Sequence, residues 1–397
     1  MKGRTKGTIG LTFASITWFL VLSGRRTVSV LLVDIEGTFS IDHAQAGLAM
    51  TAMFLVYGLM QFPSGVISDI KGRKTTIAVA IMIMGVSLLL IGLSVHYMMF
   101  MAAMMLFGLG SGSFQTPGIS MISDLYVADR GRALGIQSSA GSLAGLVPIV
   151  APIIALIDWR LFFLGAGIIT LLVGYLFIRM GKETTTLPGR IFVRERLLDG
   201  IKALKNPITL FIFIITILMV YCWIGYTTFF PAYLIEVKSF SVIEAGIAFS
   251  VLLLGGMLLK PMMGRISDSR SKMATMMLVT STGGVFTVLT VLVDGFVWVL
   301  VFSFFLSVVP AFFLVTNSLL LKRWEEKGRG GKLGFFRSLT VLLGSPTSAL
   351  IGYSAMVYGF DRSFILISAV LLLISVAILV GILVQKKNSS WTIRTRR

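Results

Sequence analysis

The sequence predicts an all-α integral membrane protein with twelve transmembrane helices, and three observations predict it. Of the 397 residues, 56% are hydrophobic and only 13% are charged, whereas a soluble domain carries about 25% charged residues. Charge-free runs such as 75–95 and 98–123 recur along the chain, and about 20 helical residues cross a hydrocarbon core. The third observation is an internal repeat at half the chain length.

The charge-free runs fall into six predicted spans, a polar stretch and six further spans. The predicted spans cover residues 10–33, 45–68, 75–95, 98–125, 133–157, 160–179, 208–234, 244–265, 273–293, 296–321, 334–357 and 362–384. This pattern predicts four segments: an N-terminal six-helix bundle over 1–180, a linker over 181–207, a C-terminal six-helix bundle over 208–385 and a tail over 386–397.

The distribution of positive charge predicts the orientation of the spans. A net charge of +18 would suggest nucleic acid in a soluble protein, but here the basic residues cluster between apolar spans. Of the 35 lysines and arginines, 28 fall on the side that holds both termini, and only Arg160, Lys238 and Arg362 fall on the other. Because lysine and arginine resist translocation, we expect both termini in the cytoplasm of a cell with the chain in its inner membrane.

The composition argues against an enzyme, a sensor or a cofactor protein. One cysteine and two histidines provide no disulfide framework and no obvious metal cluster. No loop exceeds about 30 residues, and no nucleophile or carboxylate dyad lies within a predicted span. We therefore expect no catalytic residue, no metal and no cofactor, and as partners only lipid and a small solute.

Two separate stretches repeat at an offset of 199 residues. Gly65, Ser68 and Asp69 correspond to Gly264, Ser267 and Asp268, with a basic residue following in each case. At the same offset, Arg-Gly at 130–131 and Leu-Gly at 134–135 recur at 329–330 and 333–334. Agreement on one offset predicts two homologous halves, and parallel repeats of this kind place a substrate site between the halves near the midplane.

The loop between the second and third spans carries Gly65, Asp69, Gly72, Arg73 and Lys74. This pattern resembles the loop signature of the major facilitator superfamily. The resemblance covers essentially the whole chain and implies a monomeric transporter built from two pseudo-symmetric six-helix bundles. It also implies a charge relay of Asp69, Arg73 and Asp124 that holds an outward-open state. The corresponding residues of the second half are Gly264, Asp268 and Arg270.

Four basic residues lie within or near predicted spans rather than in loops: Arg25, Arg26, Lys260 and Arg337. A charged residue at the centre of a span costs roughly 2.5–3.5 kcal/mol on the insertion scale, so such residues are candidates for function. Successive helical residues point about 100° apart, so we expect only one of Arg25 and Arg26 to face a cavity. The alternatives are that they extend to the headgroups or pair with Asp34 or Glu36. Arg337 is interpreted as an interfacial anchor.

All 17 acidic residues fall in loops or at span ends, so the buried charge is positive. The first-span arginine resembles that of organic-anion carriers, and Lys260 occupies the position of an anion-binding residue in monocarboxylate, oxalate and nitrate carriers. The equally weighted alternative is that Lys260 extends to the lipid headgroups on the cytoplasmic side instead of binding an anion. The sequence suggests an anion site that includes Arg25, Arg26, Lys260, Gln61, Tyr57, Tyr226 and Gln115.

The leading interpretation is thus a secondary transporter of a small, organic or carboxylate anion that works by alternating access. The alternative is a proton-coupled exporter of drugs or other solutes. Residues 145–152 lack the Gly-Pro-x-x-Gly-Gly run of drug exporters, which disfavours that alternative. The energy source stays open between a proton carried by Asp34 or Glu36 and the exchange of one anion for another.

Overall fold

Twelve helices of the protein are long and apolar enough to cross a membrane. The structure is a computed structural model that describes residues 2–127, 129–184, 193–324 and 329–387, and these residues form helices without a β-strand. Spans 1 to 12 are Gly7–Val30, His43–Lys71, Arg73–Gly92, Tyr97–Leu125, Arg130–Ala155, Trp159–Met180, Pro207–Glu236, Val242–Ser269, Lys272–Leu292, Phe296–Arg323, Lys332–Tyr358 and Phe360–Val384. Every bound lies within four residues of its prediction, which confirms the predicted fold.

Two further helices do not cross. Leu32–Phe39 follows span 1, and Val193–Leu204 lies inside the polar stretch that the sequence predicts as a linker. Residues 185–192 of that linker and 388–397 of the predicted tail lie outside the described residues. We call the end of the bundle near Lys71, Asp124 and Ser269 the termini side, and the opposite end the far side.

Four spans that the sequence predicts as continuous are interrupted. Pro148 and Pro346 lie beside breaks in spans 5 and 11, and Pro310 lies beside the break in span 10. A proline lacks the N–H that would continue the hydrogen-bond ladder, so these helices restart there. Span 8 is interrupted at Gly255. The separate segments are Arg130–Leu143, Ala144–Leu146 and Val147–Ala155; Val242–Leu254 and Gly256–Ser269; Phe296–Leu306 and Ala311–Arg323; and Arg329–Gly344 and Thr347–Tyr358.

Spans 2 and 8 begin with the same capping arrangement. The Asp42 carboxylate accepts a hydrogen bond from the backbone N–H of Gln45 at 2.8 Å, and the Gln45 side chain accepts one from the Asp42 N–H at 3.1 Å. Ser241 and Glu244 form the same reciprocal pair. Such capping boxes satisfy backbone donors that a helix start leaves free. Both pairs are 199 residues apart, so the internal repeat extends to the helix starts.

Glycines bring spans 2, 3 and 4 into backbone contact. A Cβ atom added at Gly108 would collide with the carbonyl oxygen of Met53 on span 2, and one added at Gly110 would lie 2.8 Å from the backbone nitrogen of Met84 on span 3. Apolar lipid offers helices little hydrophobic reason to associate, so close van der Waals packing at small residues must hold them together.

We therefore expect Gly108→Val to lower the melting temperature of the purified protein, because the added side chain forces spans 2 and 4 apart at a cost of about 1–3 kcal/mol. Gly165→Ala is the matched control, since nothing lies within 4 Å of the added carbon. Thermal unfolding in one detergent compares them. Equal melting temperatures for Gly108→Val and the unsubstituted protein would contradict the packing argument.

Candidate functional site

A cavity of about 320 Å³ lies between the first six and the last six spans. Spans 1, 2, 7, 8, 10 and 11 form its wall. The wall carries three guanidinium groups, the Asn317 amide, the hydroxyls of Thr216 and Thr227, and an aromatic surface that includes Trp223. Its volume falls within the range of about 300–1,000 Å³ that is common for small-molecule sites.

Arg25 lies against an aromatic ring of span 2. Its guanidinium carbon is 3.8 Å from the centre of the Tyr57 ring, and its Nη2 lies 3.5 Å from Ser111 Oγ on span 4. The face of an aromatic ring attracts a cation by about 0.5–2 kcal/mol, more when water is excluded. Tyr57 therefore holds Arg25 in place without neutralising it, and both residues line the cavity as the sequence suggests.

Arg26 lines the same cavity, so the expectation that only one of the two arginines faces it is wrong. The Arg26 Nη1 donates a hydrogen bond to the carbonyl oxygen of Gly141 on span 5 at 3.3 Å. Although the two Cβ atoms diverge by about 100°, the cavity borders span 1 on a broad face, and each long side chain reaches it. The contacts of both arginines are thus with spans 2, 4 and 5 rather than with Asp34 or Glu36.

Arg337 of span 11 also lines the cavity, so its interpretation as an interfacial anchor is wrong. Within the described part of the chain, no carboxylate lies within 4.0 Å of the guanidinium nitrogens of Arg25, Arg26 or Arg337. The cavity thus collects positive charge from both halves of the protein without an acidic partner.

Four other residues of the predicted anion site lie away from this cavity. Tyr226 is buried behind it, with its ring 4.9 Å from that of Phe230 and 5.0 Å from that of Phe364. Gln61 and Gln115 are buried in spans 2 and 4, and Lys260 lines a separate cavity on the termini side. Sequence spacing identifies the span that carries each residue but not the face on which it lies.

The far side is closed by direct contact between the halves. A Cβ atom added at Gly47 on span 2 would collide with the carbonyl oxygen of Ser348 on span 11, and one at Gly246 on span 8 would collide with that of Pro148 on span 5. Gly352 approaches the carbonyl of His43 in the same way. We call the contacts of span 2 with span 11 and of span 5 with span 8 the far-side seams. On the termini side, the gap between spans 5 and 8 widens into the cavity that Lys260 lines.

A charged cluster crosses this closed interface. Nδ1 of His43 lies 3.0 Å from both carboxylate oxygens of Glu36, and its Nε2 lies 3.1 Å from Oε2 of Glu236. Carboxylates only accept hydrogen bonds, so both ring nitrogens donate and the imidazole is positively charged. Burial raises the pKa of the Glu36 carboxyl, and the His43 hydrogen bond acts against that rise. The His43–Glu236 contact joins the first half to the second.

Glu36, His43 and Glu236 also have the side-chain types that bind metal ions. Among the described residues, they are the group of three whose ligand atoms lie within 4.8 Å of one another. The small number of cysteines and histidines predicts no such grouping, and Glu236 comes from the other half of the chain. Since carboxylates already occupy both ring nitrogens, we interpret the group as an ion-paired cluster rather than a metal site.

The residues of the loop signature are assembled on the termini side. Arg73 Nε lies 2.6 Å from Asp124 Oδ2, and Arg73 Nη2 lies 3.5 Å from Asp69 Oδ1. Gly65 allows span 2 to approach Thr116 of span 4, where an added Cβ would lie 2.8 Å from that side chain. All three members of the predicted relay are therefore in contact although the far side is closed, so these contacts do not depend on an open far side, contrary to the outward-open state that the resemblance implies for them.

The signature glycine Gly72 lies against the carboxylate of Glu183, a contact that the sequence does not indicate. Its φ of +96° is a conformation that favours glycine. The carboxylate of Glu183, which follows span 6, accepts a hydrogen bond from the Arg73 N–H at 2.8 Å and another from the Lys74 N–H at 3.2 Å. A side chain at Gly72 would collide with this carboxylate. Glu183 thus satisfies the free backbone donors at the start of span 3.

The corresponding motif in the second half differs from the loop signature of the first half. Asp268 pairs with Lys272 at 3.2 Å, and Lys272 is the residue that lies 199 positions after Arg73. Arg270 is exposed, and no side chain lies within 4 Å of a Cβ added at Gly264. The prediction of Arg270 as the basic member of this pair is therefore wrong, because Lys272, at the start of span 9, lies beside the carboxylate at the end of span 8.

Comparison with known proteins decides the family. Residues 14–331 match the family model of the Major Facilitator Superfamily. The chain belongs to the Major Facilitator Superfamily. The protein is therefore a multi-pass membrane protein of a transporter family rather than of an enzyme family.

Several relatives of known or probable function are named as transporters of anions. The chain is 25% identical to the hexuronate transporter of Bacillus subtilis over 56% of this chain and 57% of that protein. It is 26% identical to a probable sulfoacetate transporter of Cupriavidus necator over 64% and 63%, respectively. A probable L-galactonate transporter of Escherichia coli is 23% identical over 46% and 41%. The matches thus span less than two thirds of these relatives' own lengths.

Solved superfamily structures share the fold at low identity. A bacterial homologue of the human lysosomal transporter Spinster, crystallised in an inward-facing and unoccupied conformation, matches with a TM-score of 0.81 and 15% identity over 95% of this chain and 97% of that one. The nucleoside transporter NupG matches with a TM-score of 0.77 and 14% identity over 96% and 99%. These matches support the fold alone.

The cluster on the far side makes a testable prediction. We expect Glu236→Gln to lower the ratio of closed to open far side about ten-fold, because the hydrogen bond that His43 donates across the interface loses its negatively charged acceptor. Spin labels at the exposed positions Val95 and Leu292, in a Cys222→Ala background, report the distance between the halves.

Asp294→Asn is the matched control. It removes a far-side ion pair, since Asp294 Oδ1 lies 2.7 Å from Lys238 Nζ, but both residues belong to the second half. We expect its distance distribution to equal that of the unsubstituted protein. An unchanged distribution for Glu236→Gln would show that the cluster does not stabilise the closed state.

Proposed function

We propose that the protein transports a small organic anion of the hexuronate and sugar-acid class by alternating access. The observation that carries the proposal is the cavity wall, where Arg25, Arg26 and Arg337 converge without an acidic partner in the described residues. An unpaired buried cation is costly, whereas a carboxylate that enters the cavity forms charge-assisted hydrogen bonds with the guanidinium groups.

The neutral part of the wall favours a hydroxylated acid. Asn317, Thr216 and Thr227 offer amide and hydroxyl groups beside the guanidinium groups. The Asn317 amide can donate to and accept from sugar hydroxyls, and the two threonine hydroxyls, which already donate to backbone carbonyls, can accept from them. Trp223 adds an apolar surface that can contact the less polar face of a sugar ring.

The names of the relatives support the same class. Hexuronate and L-galactonate are sugar acids, and sulfoacetate carries a carboxylate and a sulfonate. Each relative aligns over only part of its length, so the cavity residues rather than the names determine the proposed chemistry.

Orientation and mechanism follow from the charge distribution and the far-side seams. We assign the termini side to the cytoplasm, because 28 of the 35 basic residues lie there and in the termini. The closed far side then faces outward, so this conformation is the one that opens inward. Transport requires the far-side seams to open as the two six-helix halves rock.

We further propose that the driving force is the exchange of one anion for another. Proton symport needs a carboxylate that meets both substrate and water, and none lines the cavity among the described residues. Glu36, one of the two predicted proton carriers, is hydrogen-bonded to His43 on the far side instead. An anion exchanger needs only a cavity that cannot close readily when empty.

The proposal predicts the behaviour of Arg25 variants. We expect Arg25→Gln to lower labelled glucuronate exchange into proteoliposomes at least ten-fold, because a charge-assisted hydrogen bond is worth about 1.5–3 kcal/mol. Arg25→Lys keeps the charge but loses the planar fork, so an intermediate rate is expected. Arg362→Gln, an exposed arginine at the start of span 12, is the control that keeps full exchange.

Competition separates the proposed function from drug export. Galactonate and sulfoacetate should compete with glucuronate, whereas neutral glucose and a cationic amphiphile should not. Uptake should also require an anion inside the liposomes. Full activity of Arg25→Gln together with competition by the cationic amphiphile would favour the exporter and end the anion proposal.

A further inference from the structure

A further cavity, of about 310 Å³, lies on the termini side where the helix Val193–Leu204 meets spans 7, 10 and 11. We call this helix the linker helix and the space beside it the linker cavity. None of the residues that line it also lines the central cavity. Its volume is at the lower end of the range of about 300–1,000 Å³ that is common for small-molecule sites.

Three cations from three different elements line the linker cavity. Lys202 belongs to the linker helix, Arg323 ends span 10, and Lys332 begins span 11. Within the described residues, no carboxylate oxygen lies within 4.0 Å of the side-chain nitrogens of these three residues. The wall also carries the carboxylate of Asp199, so its cations outnumber its carboxylate by three to one. The cavity therefore attracts an anion.

The internal repeat explains why the Arg323 guanidinium lines this cavity. Arg323 lies 199 positions after Asp124, which pairs with Arg73 in the first half at 2.6 Å. The residue that lies 199 positions after Arg73 is Lys272, which is also a cation. Like charges repel, so Arg323 cannot pair with Lys272 as Asp124 pairs with Arg73. The second half thus places a cation where the first half forms a salt bridge.

The hydroxyl of Thr209 is a second and independent indication of a ligand. Thr209 is only 1% exposed and lines the cavity, and its hydroxyl makes no hydrogen bond within the described part of the chain. Most buried hydroxyls in folded proteins have a partner, so an acceptor in the cavity would satisfy this one. Beside it, the Asn206 oxygen accepts from the N–H groups of Ile208 and Thr209, which leaves the Asn206 NH₂ group as a further donor.

The linker cavity lies at the level of the lipid headgroups, because spans 7, 10 and 11 each begin or end at its wall. Trp324 forms an apolar side of the cavity, and its ring centre is 6.3 Å from that of Phe336 on span 11. Tryptophan is common at this level of a membrane protein. Clusters of lysine and arginine beside spans attract anionic headgroups, so a phospholipid phosphate is within reach of the three cations.

We propose that the linker cavity binds a phosphate group, which belongs either to an anionic phospholipid or to a soluble phosphate. The planar guanidinium of Arg323 supplies paired donors to the phosphate oxygens, and Lys202 and Lys332 supply positive charge from two other sides. A bound phosphate joins the linker helix to spans 10 and 11. The proposal does not rest on the proposed function, because the linker cavity lies outside the central cavity.

Equilibrium binding of labelled dioctanoyl phosphatidylglycerol to the purified full chain in neutral detergent tests this site. We expect Arg323→Gln to weaken binding about ten-fold or more, because a charge-assisted hydrogen bond to the phosphate is lost. Asp199→Asn should tighten binding about two- to five-fold, since it removes the negative charge from the wall. Arg179→Gln removes an exposed arginine near the end of span 6, outside this cavity, and should bind as the unsubstituted protein does.

Lys202→Gln is a second variant at an exposed position, so the test does not depend on the folding of Arg323→Gln. It should also weaken binding relative to Arg179→Gln. Equal affinities in Arg323→Gln, Lys202→Gln and Arg179→Gln would overturn the site. The absence of saturable binding of both phosphatidylglycerol and inorganic phosphate to the unsubstituted protein would overturn it as well. Either result would leave the central anion site intact.

Labelled inorganic phosphate distinguishes the two sources of the phosphate group. Saturable binding of inorganic phosphate that depends on Arg323 and competes with phosphatidylglycerol would support the site and identify soluble phosphate as a sufficient ligand. Arg323-dependent binding of phosphatidylglycerol alone would support the site and identify a lipid headgroup as its occupant. Binding of both ligands without dependence on Arg323 or Lys202 would overturn the proposal.

Discussion

Positive charge in the middle of the bundle, without an acidic partner among the described residues, is the constraint on which the proposed function depends. Arg25 and Arg26 belong to the first half, and Arg337 belongs to the second. In a medium of low dielectric constant, like charges repel strongly, so the two halves resist closing around an empty cavity. In the proposed function, an anion bound there turns that repulsion into attraction and favours the compact states. The proposed binding and the proposed conformational change thus share one electrostatic origin.

Most of the fold could be predicted from the sequence, because the distance across a hydrocarbon layer fixes the length of every span. The contacts of Asp69, Arg73 and Asp124 followed from the resemblance to the superfamily, because spacing alone does not show that the ends of spans 2 and 4 meet the start of span 3. The helix interruptions beside Pro148, Pro310 and Pro346 were harder to predict, because a proline within an apolar run can produce either a bend or a break.

The side chains of the site were harder to predict than the spans that carry them. Arg337 lies only five residues after Lys332, and depth along a helix cannot reveal that the cavity extends so near the termini side. Tyr226 and Gln115 were expected at the cavity but face other helices. The Glu36, His43 and Glu236 cluster joins residues separated by up to 200 positions, so no local pattern could have indicated it.

The glycines of the far side have a consequence for the membrane around the protein. At Gly47, Gly246 and Gly352, peptide groups of opposing helices touch with no side chain between them. Such a seam is too narrow for a continuous file of water, which small ions and protons would need in order to pass. A protein that is closed in this way does not dissipate the membrane potential between transport cycles, even when many copies are present.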